Sequence, residues 1–179
     1  EYNVAIGNYT LDATTVGDNN VAMGYNALTS NTVGNNNVAL GHSAMFSNTG
    51  DAAQATEGSD NVAIGSNALY SMTEGYKNIA MGTDALKDLT LGAQNIGIGY
   101  QSMENATTSW SNVAIGYEAL KGATTDTDMT GSGNVAIGYQ VLHKNTTGYN
   151  NTALGGYGLY QNTSGGNNIA FGQNNLYTN

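Results

Sequence analysis

A single pentapeptide, Asn-Val-Ala-Ile-Gly, recurs along the chain, and its spacing limits the possible folds more than any other feature. It stands at 3–7, 61–65, 112–116 and 134–138, with variants such as Asn20-Val21-Ala22-Met23-Gly24 and Asn168-Ile169-Ala170-Phe171-Gly172. The copies begin at Asn3, Asn20, Asn37, Asn61, Asn78, Asn95, Asn112, Asn134, Asn151 and Asn168. The step is 17 residues except for one of 24 and one of 22. A short fixed period with occasional insertions is the mark of a solenoid, in which each repeat is one coil and insertions bulge out as loops. The long steps place insertions near residues 50–58 and 125–131. Residues 1–179 therefore read as one repeat domain of ten coils, expected to be a segment of a longer chain.

Numbering each coil from its Asn gives seventeen columns. Column one is Asn and column five Gly in every coil. Column two is Val or Ile except Thr152, and column three is Ala except Gly97. Column four is Ile, Met, Leu or Phe, and column nine is Leu or Met throughout. Column thirteen is Thr in each coil that reaches it, from Thr15 to Thr163. Such a coil is too short for a helix pair, which needs more than about 30 residues. Apolar runs of four or five residues bounded by Gly and Asn suit short strands instead. The pattern predicts one strand on columns one to five and a second around columns eight to ten. The Gly, Asn, Ser and Thr that follow supply turns.

The fold class is thus all-β, a parallel β-solenoid. Coils about 4.8 Å apart make a rod roughly 45–50 Å long, with identical residues directly above one another. The Asn column becomes a ladder of amides. Gly in column five marks a bend or a close approach of another backbone. Val and Ile of columns two and four point one way, and Ala and Gly of columns three and five the other. A strand apolar on both faces is expected to be buried on both sides. One face, with the Leu of column nine, fills the coil; the small Ala and Gly side chains suit close packing against a second copy of the chain.

Charge narrows the list of partners. The net charge is −9, and only 9% of residues are charged. The cations are Lys77, Lys87, Lys121 and Lys144. A surface that neutralises phosphates needs many more, so nucleic acid and anionic membranes are disfavoured. There is no Cys for thiolate metal sites or disulfides, and no apolar run of about 18 residues to span a membrane.

The repeated Asn-Val-Ala-Ile-Gly resembles the head repeats of trimeric autotransporter adhesins, the YadA-like heads, and related repeats in bacteriophage tail fibres and other surface fibres. The likeness covers the whole chain. It implies a left-handed parallel β-roll, three chains side by side, and a role in adhesion or as a shaft, on a cell surface or virion. Adhesin-head repeats are usually a few residues shorter, and the Asn-Thr-x-Gly-Asn turn accounts for the excess here. That favours a fibre or tail-fibre relative.

Candidate binding residues lie off this framework. The first insertion carries Asp51, Glu57 and Asp60, and the second Asp126 and Asp128. Loops on a rigid scaffold often carry recognition, although the spaced ligands of a calcium loop are missing and no metal or other cofactor is expected. Tyr25, Tyr100, Tyr117 and Tyr139 share column six, while Phe46, Tyr70, Tyr160 and Tyr177 share column ten. Such stripes either stack on sugars or fill strand surfaces. Trp110 sits in a turn, where packing on a neighbouring coil is the simpler role. The Thr column reads as turn capping, or as an ice-binding array. His42 and His143 lie in different columns with no acid, base or nucleophile converging on them, so the expectation is a non-enzymatic fibre segment. Its alternatives are a carbohydrate- or receptor-binding head and an ice-binding solenoid. The expected partners are further copies of the chain, three side by side with an end-to-end filament as a further arrangement, and a surface glycan or receptor.

Overall fold

The computed structural model describes residues 2–50, 53, 57–123 and 129–178. Ten strands of three residues each form one parallel sheet in sequence order. They are β1 Val4–Ile6, β2 Val21–Met23, β3 Val38–Leu40, β4 Val62–Ile64, β5 Ile79–Met81, β6 Ile96–Ile98, β7 Val113–Ile115, β8 Val135–Ile137, β9 Thr152–Leu154 and β10 Ile169–Phe171. Each strand comes from columns two to four of its coil, and like columns pair: Val21 with Val38, Ala22 with Ala39, Met23 with Leu40. The register holds across both insertions, with Val38 opposite Val62 and Val113 opposite Val135.

The insertions leave this register alone because each departs and returns at one point. Gly50 and Gly58 approach so closely that a Cβ on Gly58 would lie 3.0 Å from the Gly50 Cα. Their N–H groups bond to the next coil at Thr73 and Glu74. Gly122 meets Met129 in the same way, its would-be Cβ 3.2 Å from that of Met129. Met129 then re-enters the coil. Its carbonyl accepts the Thr107 N–H, a place taken by a column-thirteen Thr in most other coils, and its side chain is fully buried. Thr124 lies outside the described residues.

The expected second strand does not form. Columns seven and nine both have positive φ, from 49° to 57° and from 50° to 54°. The chain therefore makes two successive tight turns, with Ala68 N–H bonded to Gly65 and Tyr70 N–H to Asn67, and Met72 N–H then bonds to Leu69. A positive φ at the third residue is the requirement of a type II turn. Asn and Asp tolerate it at column seven, but Leu does so only at a cost of roughly 1–2 kcal/mol. Burial offsets this. Leu28, Leu69, Leu86, Leu120 and Leu142 are fully buried, and a buried Leu contributes about 1.5–3 kcal/mol. Even these turns ladder, with Leu28 N–H bonded to Ala44 O and Ser30 N–H to Phe46 O of the next coil.

The faces of the sheet are reversed from expectation. Column three points inward: Ala22, Ala39, Ala63, Ala80, Ala114, Ala136, Ala153 and Ala170 are fully buried. Columns two and four point outward, and their Val, Ile, Met, Leu and Phe side chains are exposed or half-buried. The coil is too narrow for large side chains from both walls. The bulky Leu of column nine already fills it, so only Ala fits opposite.

Column twelve, which reads as turn, is also interior. Asn31, Asn48, Met72, Leu89, Ala106, Asn145 and Asn162 are buried there. Asn48 donates to Asn31 Oδ1 at 2.9 Å, and Asn162 to Asn145 Oδ1 at 3.2 Å. Each of these four also donates to a glycine carbonyl of its own coil. The run of amides stops where Met72 begins, leaving Asn48 Oδ1 without a hydrogen-bond partner.

Column one forms a continuous run of bonds. The Asn95 N–H donates to Asn78 Oδ1, the Asn112 N–H to Asn95 Oδ1 and the Asn134 N–H to Asn112 Oδ1, at 2.9–3.1 Å. From Asn61 to Asn151 each side-chain NH2 donates to the preceding Oδ1 and to a column-fifteen carbonyl, as Asn95 does to Asn78 at 3.1 Å and to Ser109 at 2.8 Å, whereas Asn20 and Asn37 donate to the column-fifteen carbonyl alone. Column-five Gly is equally constrained. A Cβ on Gly65 would lie 2.5 Å from the Gly82 carbonyl oxygen, and its φ is 134°. Asn95→Ala strands the Asn112 N–H and the Ser109 carbonyl inside the coil. It should cost about 1–3 kcal/mol for each, read as a lower urea midpoint by circular dichroism. Asn168→Ala removes a bond to Asn151 only from the last coil and should cost clearly less.

Candidate functional site

Outward side chains of columns six, seven and ten share the flank that follows the sheet. Tyr100, Tyr117 and Tyr139 stack at 5.3 and 5.0 Å, with ring planes within 20° of parallel. Tyr25 stacks on His42 at 5.5 Å. The column-six stripe is therefore two stacks, parted by Ser66 and Thr83. Column ten is also broken. Phe46 stacks on Tyr70, and His143, Tyr160 and Tyr177 form a second stack, with centroids 5.0–5.1 Å apart. Between them stand Lys87, Glu104 and Lys121.

Those charges form a small ionic cluster. Lys121 Nζ lies 3.1 Å from Glu104 and 3.3 Å from Glu118, and Lys87 lies 4.0 Å from Glu104. Gln140 donates to Glu118, and Gln101 accepts from Lys121 at 2.8 Å. His143 Nδ1 sits 3.7 Å from the Glu118 carboxylate. Burial raises the Glu118 pKa, but the Gln140 hydrogen bond and the Lys121 charge outweigh it and hold the carboxyl below its ordinary value. Burial pushes the His143 imidazole down more than Glu118 raises it. Lys121 is lowered by burial but raised further by Glu104 and Glu118, and so ends above its ordinary value.

The remaining sequence candidates do not converge on one site. Asp51, Asp126 and Asp128 lie outside the described residues. Glu57 and Asp60 flank the return of the first insertion, where Asp60 accepts a bond from Asn36 at 3.1 Å. Tyr25 belongs to the stack nearest the N-terminus, and Tyr100, Tyr117 and Tyr139 to the next. Trp110 packs edge-on against Tyr76 at 5.8 Å, two coils away across Ala93. His42 and His143 lie in separate stacks.

The hydroxyls of Thr15, Thr32, Thr73, Thr90 and Thr146 in column thirteen donate to the backbone of the next coil, as Thr32 does to Thr49 O at 2.6 Å and Thr90 to Thr107 O at 3.0 Å, whereas the Thr107 hydroxyl has no partner among the described residues. Two potential glycosylation sequons, at Asn145 and Asn162, are closed to modification because both side chains are buried. Sequence reading missed a depression of about 250 Å³ walled by His42, Ser43, Asn67, Tyr70 and Lys87. The signal was the replacement of column-six aromatics by Ser66 and Thr83 in two successive coils.

No protein-family model, no curated protein and no solved structure matches this chain.

The ionic cluster gives a pH prediction. Glu118 and His143 both have depressed folded pKa values, so each adds stability above its ordinary pKa that is lost as pH falls. The window opens near the ordinary histidine value of 6.5 and extends below the ordinary Glu value of 4.5. Asp88 acts in the opposite sense, since burial raises its pKa. Differences between variants isolate the cluster. The melting-temperature gap between wild type and His143→Gln should shrink as pH is lowered from 7.5 to 5.5, while the gap for Glu118→Gln should change mainly below pH 5.

Proposed function

We propose that this chain is a non-enzymatic segment of an extracellular or virion fibre, a stiff shaft assembled from copies of itself, with three chains side by side and left-handed coils as the motif's resemblance implies. One observation carries the reading: the outward face of the ten-stranded sheet is apolar at every position of columns two and four except Thr152. At the end strands Ile6, Met23, Ile169 and Phe171 are 52%, 47%, 66% and 61% exposed, and the same columns are half-buried in β3, β4 and β6 to β9. A soluble monomer rarely leaves a continuous apolar patch of more than a few hundred Å² in water, and this one follows the sheet from β1 to β10. Such a face suits a partner of the same length and period, and another copy has both.

Stiffness follows from the same architecture. Each coil is tied to the next through strand bonds, turn bonds and the Asn run, so bending the rod breaks many hydrogen bonds at once. A surface fibre holds a tip away from its anchor, and this rod would act by rigidity. The outer surface or the virion exterior is the proposed location.

Reversing the character of the sheet face tests the reading. Wild type should sediment as an oligomer, three copies by mass, at micromolar concentration. The triple variant Ile64→Lys, Ile98→Lys, Ile137→Lys should sediment as a monomer with an unchanged circular dichroism spectrum. A wild type that stays monomeric up to hundreds of micromolar would overturn the proposal.

A further inference from the structure

The depression on the column-six and column-ten flank exists because both aromatic stacks stop at nearly the same level. In column six, His42 has Tyr25 on one face, and the next coil offers only Ser66. In column ten, Tyr70 has Phe46 on one face, and the next coil offers Lys87. The His42 and Tyr70 faces turned away from these partners look in the same direction along the rod, where no aromatic ring follows. Between them lie the Ser43 and Asn67 side chains, and Lys87 closes the far end.

The polar groups here are held in place. Ser43 and Asn67 occupy the positive-φ column, at 52° and 55°, and the Asn67 N–H donates to the His42 carbonyl at 3.0 Å. The Asn67 NH2 donates to Asp84 at 3.0 Å, which fixes the amide and leaves its oxygen free to accept. Lys87 is the less committed of the two lysines at Glu104, at 4.0 Å against 3.1 Å for Lys121. Its ammonium therefore has donors to spare. The depression thus combines ring faces, one fixed acceptor, a hydroxyl and a cation, the mix of apolar wall and few polar groups typical of small-ligand sites.

We propose that this depression binds a single pyranose ring of a glycan. One face of a pyranose carries C–H groups with partial positive charge, and these pack on the negative face of an aromatic ring. Its edge carries hydroxyls that both donate and accept, matching Asn67 Oδ1, the Ser43 hydroxyl and the Lys87 ammonium. At about 250 Å³ the space takes one ring rather than an oligosaccharide. A ring inside a stack, such as Tyr117, has a neighbour on both faces, whereas here two stacks end beside one depression. Nothing in this site depends on self-association, and its failure would leave the shaft intact.

Saturation-transfer NMR on the intact chain tests the assignment, using methyl pyranosides of glucose, galactose, mannose, N-acetylglucosamine and glucuronic acid as probes. At least one should receive transfer at millimolar concentration. Tyr70→Ala and Lys87→Gln should each weaken that signal at least fivefold, and Tyr139→Ala, in the unbroken stack, should leave it unchanged. Thermal melts of each variant establish that it is folded. Absence of transfer to every probe overturns the proposal, as does transfer that survives both Tyr70→Ala and Lys87→Gln or is lost equally in Tyr139→Ala.

Discussion

Everything in this fold depends on one translational repeat: each coil must offer the next the same hydrogen-bonding edge. The Asn of column one enforces it. Its Oδ1 accepts from the following Asn N–H, as Asn95 does from Asn112 at 3.1 Å, and its NH2 ties the coil to its own column-fifteen carbonyl. One side chain thus closes a coil upon itself and fixes the next. A buried amide missing either partner costs about 1–3 kcal/mol, and every coil inherits the requirement. Gly of column five is the steric counterpart, since the neighbouring Gly carbonyl lies where its Cβ would be. Two columns, one polar and one defined by having no side chain, carry the register.

Around that register the interior is filled by economy of size. Three-residue strands with Ala inward face Leu or Met from a turn, and Leu adopts a backbone conformation it otherwise avoids because it is fully buried there. The large aliphatics are then forced outside. The physical logic of the coil therefore creates an outward apolar face along the sheet. The Ala-lined interior and the apolar outer face are two consequences of the same narrow cross-section.

This explains which features could be read from the sequence. The period, the parallel pairing and the alignment of like columns follow from spacing alone. The inward direction does not, because Val-Ala-Ile-Gly is apolar on both parities and alternation carries no sign. Coil width decides it, and width depends on the turn at columns six to twelve. There the Ala-Leu run looks like strand, while Asn26, Asn67 and Asp84 at column seven were a legible hint of positive φ. Column twelve was hidden by its chemistry, since Asn-Thr reads as turn whether or not the Asn is buried. The aromatic stripes were visible, but their meaning lay in the interruption at Ser66 and Thr83, which only stacking in space turns into a depression.

The same repeat explains why the chain carries so little charge. Stacking places identical columns about 4.8 Å apart, which rewards amides and aromatic rings and penalises like charges by about 1 kcal/mol even in water. Outside the insertions, no two like charges occupy one column in successive coils. Column seven sets Gln101 between Asp84 and Glu118, and column ten alternates Lys87, Glu104 and Lys121. Where charges must stack, they alternate in sign and form the ion pairs at 4.0 and 3.1 Å. Where they do not, neutral Tyr, Thr, Ser and Asn take the outer positions. A net charge of −9 on a chain only 9% charged is thus spread across columns, and that spreading is a condition of stacking ten coils in one register.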